Sequence, residues 1–392
     1  GLAFALSIFL ESPVFALQQA TLAWYPGRGP IRPFVSFALG LGCLMSLLEL
    51  AVVSTEAGPF LFRTLMGAPE HLVGAAMEAL WVGVLFPPLV GVRNALQGIL
   101  VSRRNASPVA LGTLVRLSTL AAAVLFFLNR FPLGPPAAAC LALVFAVFAE
   151  TLYVWFAVAR TPERDAPATP AHRAGATLAG RLRFLAPLAG TMVLTSLTGP
   201  GINAVVSRTA DPSRALAVYA VVQSLVWFLA SPTLRYSSVT IALGDGVNEL
   251  RKLRLFLWRL VGGVCVVVLL LTVSPAADII LRHLIGLSEE LAREVRWPLI
   301  VLFLQPLITG FIAFNQGLLT RRAQTFAIGW GALGRVLAIV VLGWLGLQTP
   351  LSGGMLGALL LGSAFAAELA TLVGLRRALR SRARSLPEGA PA

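Results

Sequence analysis

Three glutamates stand inside long apolar runs, where a carboxylate needs a chemical reason. Glu11 lies in "FLESPVFALQQATLAW", Glu150 in "FAVFAETLYVWF" and Glu368 in "GSAFAAELATLV". A charge at bilayer depth is costly, and a desolvated carboxyl group can load and release a proton. The three acids are therefore predicted to bind a coupling ion, H+ or Na+. Two alternatives stay open: Glu11 could be hydrated at the outer interface, and the other two could be held by neighbouring groups for packing.

Arginines and one amide form a second group of polar residues inside apolar segments. A guanidinium fork matches a carboxylate or a phosphate, so these residues are predicted to line a substrate cavity. They are Arg93, Arg116, Asn203, Arg235 and Arg335. The alternative for Arg116 and Arg335 is a structural pairing with helix-end carbonyls or with an acid.

The chain contains no sequence motif for enzymatic catalysis, ATP binding or metal binding. No Walker A, HExxH or GxSxG motif is present, and the three cysteines stand singly, without a CxxC pair. The net charge of +14 is dispersed over short loops, which does not favour nucleic acid as a partner. We therefore predict no enzyme activity, no cofactor and no metal site.

The elements that carry these residues are predicted to be membrane-spanning helices. Hydrophobic residues make up 57% of the 392 residues and charged residues 12%, about half the charged share of soluble domains. Apolar runs recur at the length that spans a bilayer. Eleven spans are predicted: 2–24, 34–56, 72–101, 107–128, 136–159, 182–206, 213–243, 254–274, 292–319, 325–346 and 354–377.

The longest polar break lies near the middle of the chain and has the composition of a flexible linker. It divides the sequence into a first helical bundle (1–160), a linker (161–181), a second bundle (182–378) and a basic tail (379–392). Most of the 31 basic residues fall in alternate loops that include the linker and the tail. The positive-inside rule places that side in the cytoplasm. A multi-pass protein of a bacterial inner membrane is predicted, with a cytoplasmic C-terminus.

An internal repeat relates the two halves. Shifted by 219 positions, "RTLMGAPEHL" falls on "RHLIGLSEEL", and "PPLVGVRNALQGILVSRR" falls on "PLITGFIAFNQGLLTRRA". The Ser-Pro pairs also coincide, so Pro13 and Pro232 are predicted to kink equivalent helices. The sixth predicted span has no partner in the first half, which suggests a helix before residue 1. Six plus six helices would then form a parallel pseudo-two-fold repeat.

Several stretches resemble the progressive ankylosis family and its bacterial relatives. They include "GPGINAVVSRTADPSRALAVYAVVQSLVWFLASP", "ESPVFALQQATLA" and the Gln-Gly helix ends that precede arginine pairs. That family belongs to the MATE-like superfamily of multidrug exporters and lipid-linked flippases. The resemblance implies an all-α, two-bundle MATE-like fold of twelve helices with alternating access. It also implies organic anions such as citrate and nucleotides as substrates.

A secondary transporter is the function that these observations predict. It would export a small anionic or amphipathic solute, driven by an ion gradient, with membrane lipids around it. The first alternative is a flippase for a lipid or lipid-linked precursor, and the second is a polyspecific exporter of cationic drugs. The in-span arginines argue against the second.

Overall fold

Helices make up all the regular structure that the computed structural model describes, in residues 2–65, 70–130, 134–164, 170–244 and 246–385. The chain divides into two compact units, residues 1–193 and 194–392. The helices up to the division are α1 Leu2–Phe15, α2 Leu17–Trp24, α3 Arg32–Val53, α4 Ala57–Phe60, α5 Glu70–Gly83, α6 Phe86–Ser102, α7 Ser107–Arg130, α8 Pro135–Arg160, α9 Pro170–Gly175 and α10 Leu178–Ser196.

The remaining helices belong to the second unit. They are α11 Thr198–Val206, α12 Pro212–Leu234, α13 Tyr236–Leu243, α14 Gly246–Val273, α15 Ala276–Asp278, α16 Glu289–Val301, α17 Gln305–Arg321, α18 Thr325–Gly346 and α19 Gly353–Ser385. Short π-helical turns follow α4 (Leu61–Leu65) and α15 (Ile279–Leu284), and a 3-10 turn, Leu302–Leu304, precedes α17.

Both units contain helices that are long and apolar enough to span a membrane. Within the described ranges, nine helices or helix pairs are long and apolar enough to cross a bilayer, and α5 with α6, bent by 46°, makes a tenth candidate. The expectation of an all-helical, polytopic fold is confirmed. The first predicted span, residues 2–24, falls outside this set and is divided at Ala16 into α1 and α2.

The repeat seen in the sequence is also present in the backbone. Shifting α2 and α6 by 219 positions gives the bounds of α13 and α17. Left-handed residues recur at the same offset: Arg104 has φ 58° and Ala323 has φ 57°. Helix contacts recur as well, since a Cβ on Gly98 would lie 2.7 Å from the Gln18 carbonyl, and one on Gly317 would lie 2.7 Å from the Ser237 carbonyl. The backbone of the two units thus repeats at these positions.

Each Ser-Pro pair precedes a helix break by three residues. Proline has no N–H to donate to the carbonyl four residues earlier, and the Ser12 hydroxyl donates to the Phe9 carbonyl at 2.8 Å instead. The first break lies at Ala16, between α1 and α2. In the second unit the break lies at Arg235, between α12 and α13. Local donors therefore satisfy the opened backbone at the first kink.

The described part of the predicted linker is packed against the first unit. Gly175 at the end of α9 is so close to Trp24 that an added Cβ would lie 2.5 Å from the Trp24 Cβ. Arg103, at the end of α6, donates to the Tyr25 hydroxyl at 2.8 Å and to the Thr161 carbonyl at 2.9 Å. Residues 165–169 lie outside the described ranges. This polar segment thus contains a short helix, α9, that packs against the first unit.

Candidate functional site

A buried ion pair occupies the interior of the second unit. Glu368 on α19 is fully buried, and the Arg335 Nε on α18 donates to its Oε2 at 2.7 Å, with Nη2 also in contact. The Gln316 Nε2 on α17 donates to the Glu368 Oε1 at 3.1 Å. The Arg335 guanidinium also lies 4.0 Å over the Phe365 ring and 3.5 Å from the Thr198 hydroxyl. We call Arg335, Glu368 and Gln316 the second network.

The first unit contains the same network with an added arginine. The Oε2 of Glu150 on α8 lies 3.4 Å from the Arg116 Nη1 on α7 and 3.2 Å from the Arg93 Nη1 on α6. The Gln97 Nε2 donates to the Glu150 Oε1 at 3.1 Å. We call Arg93, Arg116, Glu150 and Gln97 the first network. Two of the predicted acids and three of the predicted arginines thus meet in two equivalent places.

The geometry of the two carboxylates is matched because the surrounding helices are matched. Gly112 lies against Glu150, and Gly331 lies against Glu368: an added Cβ would stand 3.5 and 3.4 Å from the respective Cγ atoms. A glycine at these positions lets α7 and α8, and likewise α18 and α19, approach closely. The glutamine one helix earlier then reaches the other carboxylate oxygen, Oε1.

The charge and exposure of the two networks differ. The first network has two guanidinium groups on one carboxylate, whereas the second has one arginine among the described residues. The Arg116 side chain is 31% exposed, but the Arg335 side chain is 4% exposed. The first network therefore carries a surplus positive charge with an accessible guanidinium, which is suited to bind a carboxylate or phosphate.

Arg93 is held by a second polar contact that reaches the first kink. Its Nη2 donates to the Asn94 Oδ1 at 3.2 Å, and the Asn94 Nδ2 donates to the Val14 carbonyl at 3.1 Å. Val14 follows Pro13 directly and is fully buried. The arginine network and the helix break of the first unit are therefore connected by hydrogen bonds.

Two further acids, Glu11 on α1 and Glu49 on α3, lie together inside the first unit. Both are fully buried, and they interact electrostatically with each other. Arg93 also acts on Glu11. Among the described residues, no well-aligned hydrogen-bond donor reaches any of their four carboxylate oxygens, although the Ser7 hydroxyl lies beside Glu49. We call Glu11 and Glu49 the acid pair.

Other predicted site residues lie elsewhere. Asn203 is exposed on α11, and Arg235 is exposed at the break between α12 and α13; neither belongs to the two networks. Pro13 is half-buried, whereas Pro232 is exposed. Their roles in a cavity or a kink stay predictions.

Three functional candidates were absent from the sequence predictions. Glu49 sits in "SLLELAVV", and its position inside an apolar run could have identified it. Gln97 and Gln316, which stand at the Gln-Gly helix ends, donate to the two buried carboxylates. The sequence signal that could have identified them is that both halves have a glutamine at the same place, 219 positions apart. In the described part of the chain, no group of three His, Cys, Asp or Glu side chains is placed to hold a metal ion.

Comparison with known proteins gives one family match. A family model described as progressive ankylosis protein (ANKH) matches residues 173–366. No curated protein sequence matches the chain.

Solved structures share the fold over nearly all of the chain. A MATE protein in its straight conformation has a TM-score of 0.75 at 17% identity, covering 98% of this chain and 88% of that one. A MOP superfamily transporter from Pyrococcus furiosus has a TM-score of 0.72 at 18% identity, covering 96% and 86%. The MATE transporter VcmN from Vibrio cholerae, in its bent form, has a TM-score of 0.70 at 16% identity, again covering 96% and 86%.

Proposed function

We propose that this chain, which matches an ANKH family model over residues 173–366 and has a MATE-like, multi-pass membrane fold, is a secondary active transporter. It exports a small anionic or amphipathic solute by alternating access of its two helical bundles, in a bacterial inner membrane with the C-terminus in the cytoplasm. H+ or Na+ is the coupling ion.

The observation that carries this proposal is the charge of the first network. An arginine inside a membrane protein normally neutralises an acid, faces water or binds a ligand. Arg93 and Arg116 both contact Glu150, and Arg116 is partly exposed. A solute with a carboxylate or phosphate group would bind at the exposed part of this guanidinium. A cationic drug would meet a repulsive group at the same place.

The structural relatives support such a change of substrate on this fold. The Pyrococcus furiosus transporter is described as having a binding pocket of reversed polarity that suggests a different function. The MATE-like scaffold therefore accommodates pockets of different polarity. In this chain the arginines of the first network are the residues that would make the pocket suitable for anions.

Of the three predicted acids, Glu11 is the one to which we assign binding of the coupling ion. Glu150 and Glu368 each contact at least one arginine and a glutamine, so a proton bound there would break an ion pair. Glu11 lies beside the kink and has no donor at bonding distance among the described residues. Protonation of Glu11 therefore removes a buried charge without breaking an ion pair.

Transport into proteoliposomes tests the proposal. The purified protein is reconstituted and supplied with labelled citrate, ATP, a cationic dye or a fluorescent lipid, with and without a pH or Na+ gradient. We expect gradient-dependent movement of citrate or ATP, and at least about a tenfold loss in Arg116→Gln. Arg104→Gln, at an exposed arginine beyond α6, is the matched control and keeps the wild-type rate. Movement of the dye or the lipid alone, unaffected by Arg116→Gln, would replace the anion exporter with a drug exporter or a flippase.

A further inference from the structure

The acid pair lies where the repeat has only apolar residues. At the 219-residue offset, Glu11 corresponds to Ala230 and Glu49 to Val268. Both counterparts are buried, Ala230 fully and Val268 at 3% exposure. Ser7, whose hydroxyl lies beside Glu49, corresponds to the buried Val226. The duplicated fold packs this place well without acids, so the acid pair is a specialisation of the first unit.

The charges around the acid pair do not neutralise it. Helix α6 supplies Arg93, which is engaged with Glu150 at 3.2 Å and with Asn94. Helix α8 supplies the Cys140 thiol, which interacts electrostatically with both acids. The acidic residue of α5 in this region, Glu78, is exposed, and α2 contributes no titratable side chain. The arginine beside the acid pair, Arg93, thus acts on Glu11 and is shared with Glu150.

A bound cation is needed to remove the repulsion between these carboxylates. Isolated charges in a protein interior are so costly that the group usually takes up a proton instead. When two carboxyl groups share a site, the first proton is held strongly because it removes the repulsion.

We propose that Glu11 and Glu49 share a proton, and that binding of this proton and binding of an anion at Arg93 and Arg116 favour each other. The proposal rests on the proposed function, because it names the site of the coupling proton. Each proton added to the acid pair weakens the attraction that Glu11 exerts on Arg93. Arg93 then has more positive charge available for an anion beside Glu150. By linkage, a bound anion strengthens proton binding to the same degree.

The direction in which the proton moves follows from the fact that proton binding and anion binding favour each other. Where a proton and a solute compete for one acid, they are exchanged across the membrane in opposite directions. Here the proton and the anion stabilise the same state of the first unit. They therefore travel together across the membrane.

Citrate binding in detergent tests the linkage. We expect the affinity for citrate to rise by about tenfold from mildly alkaline to mildly acidic pH, with net proton uptake when citrate binds. Citrate itself takes up protons in this range, so the Glu11→Gln, Glu49→Gln double variant provides the baseline. It should bind citrate with a flatter pH profile and without the additional proton uptake. Proton release on binding, or an unchanged profile in the double variant, would overturn the proposed linkage.

The shared proton has a direct spectroscopic signature that does not depend on transport. Infrared spectra of the wild type at neutral pH should show the carbonyl stretch of a buried protonated carboxyl group. The double variant, and also Glu11→Ala with Glu49→Val, should lose this band, whereas Glu78→Gln should keep it. If the band persists in both double variants, the proton is elsewhere. If the band behaves as expected and no anion binds, the proposed function fails while the proton site stands.

Discussion

The two units of this protein are one fold with two different polar interiors. Helix ends, left-handed residues and close glycine contacts recur at one offset, and the Gln–Glu–Arg contact recurs with its glutamate one position away from that offset. Among the buried side chains, the charges that exceed this shared set lie in the first unit, where Arg93, Glu11 and Glu49 replace Ile312, Ala230 and Val268. The comparison separates the residues that the fold needs from those that have another purpose.

The shared ion pair has a different surrounding in each unit. Glu368 is enclosed with Arg335, and both are nearly inaccessible. Glu150 lies between Arg93 and a partly exposed Arg116. A buried ion pair is a weak source of net stability, but removal of one partner leaves a charge without compensation. The same arginine position is therefore nearly inaccessible in the second unit and partly exposed in the first.

The largest expected difference is between Arg335→Met and Arg116→Met, which remove equivalent arginines. Arg335→Met strands the fully buried Glu368 carboxylate, so we expect a loss of about 3–5 kcal/mol in the free energy of unfolding. Arg116→Met leaves Arg93 on Glu150, and its loss should be about 1 kcal/mol. Unfolding in mixed detergent micelles measures both values. Equal losses would show that the second arginine in the first network does not compensate.

The shared glutamines should respond equally. Gln97→Leu and Gln316→Leu each remove a hydrogen bond of 3.1 Å to a buried carboxylate. We expect each change to lower the free energy of unfolding by about 1–2 kcal/mol. Gln324→Leu, on the residue just before α18, is a control outside both networks and should change stability little. A loss confined to one of the two glutamines would contradict the equivalence of the networks.

Much of the fold was predictable because the repeat and the apolar runs are visible in the sequence. The equivalent ends of α6 and α17 follow from "LQGILVSRR" and "NQGLLTRRA" alone. The pairing of Arg116 and Arg335 with an acid was one of the alternatives that the sequence left open. These features depend on local sequence and on one fixed offset, both of which can be read without coordinates.

The faces of the helices were not predictable in the same way. In a membrane protein, lipid-facing and protein-facing side chains are both apolar, so periodicity does not indicate which side is buried. Glu49 and Asn203 both lie in apolar helices, yet Glu49 is fully buried and Asn203 is exposed. Contacts between helices distant in sequence decide this, as when Glu11 on α1 meets Glu49 on α3.

Converting the acid pair to the residues of the second unit should increase stability. Glu11→Ala with Glu49→Val removes two buried carboxyl groups from a place that the duplicated fold fills with apolar side chains. We expect a gain of about 1–2 kcal/mol in the free energy of unfolding at neutral pH. The exposed Glu78→Ala should stay within about 0.5 kcal/mol. A large loss in the double variant would mean that the acid pair is structural.

The smallest expected effect concerns the left-handed residues that follow α6 and α17. Arg104 and Ala323 have φ of 58° and 57°, a conformation in which a Cβ approaches the following carbonyl oxygen. Glycine relieves this contact but gains entropy in the unfolded chain. Arg104→Gly and Ala323→Gly should therefore each raise the free energy of unfolding by only about 0.5 kcal/mol. Gly246→Ala, at φ 84°, should lower it by about 1 kcal/mol, as a measure of the same strain. Equal responses at 104 and 323, beside unequal responses at 116 and 335, would show that the two units differ in charge and not in backbone.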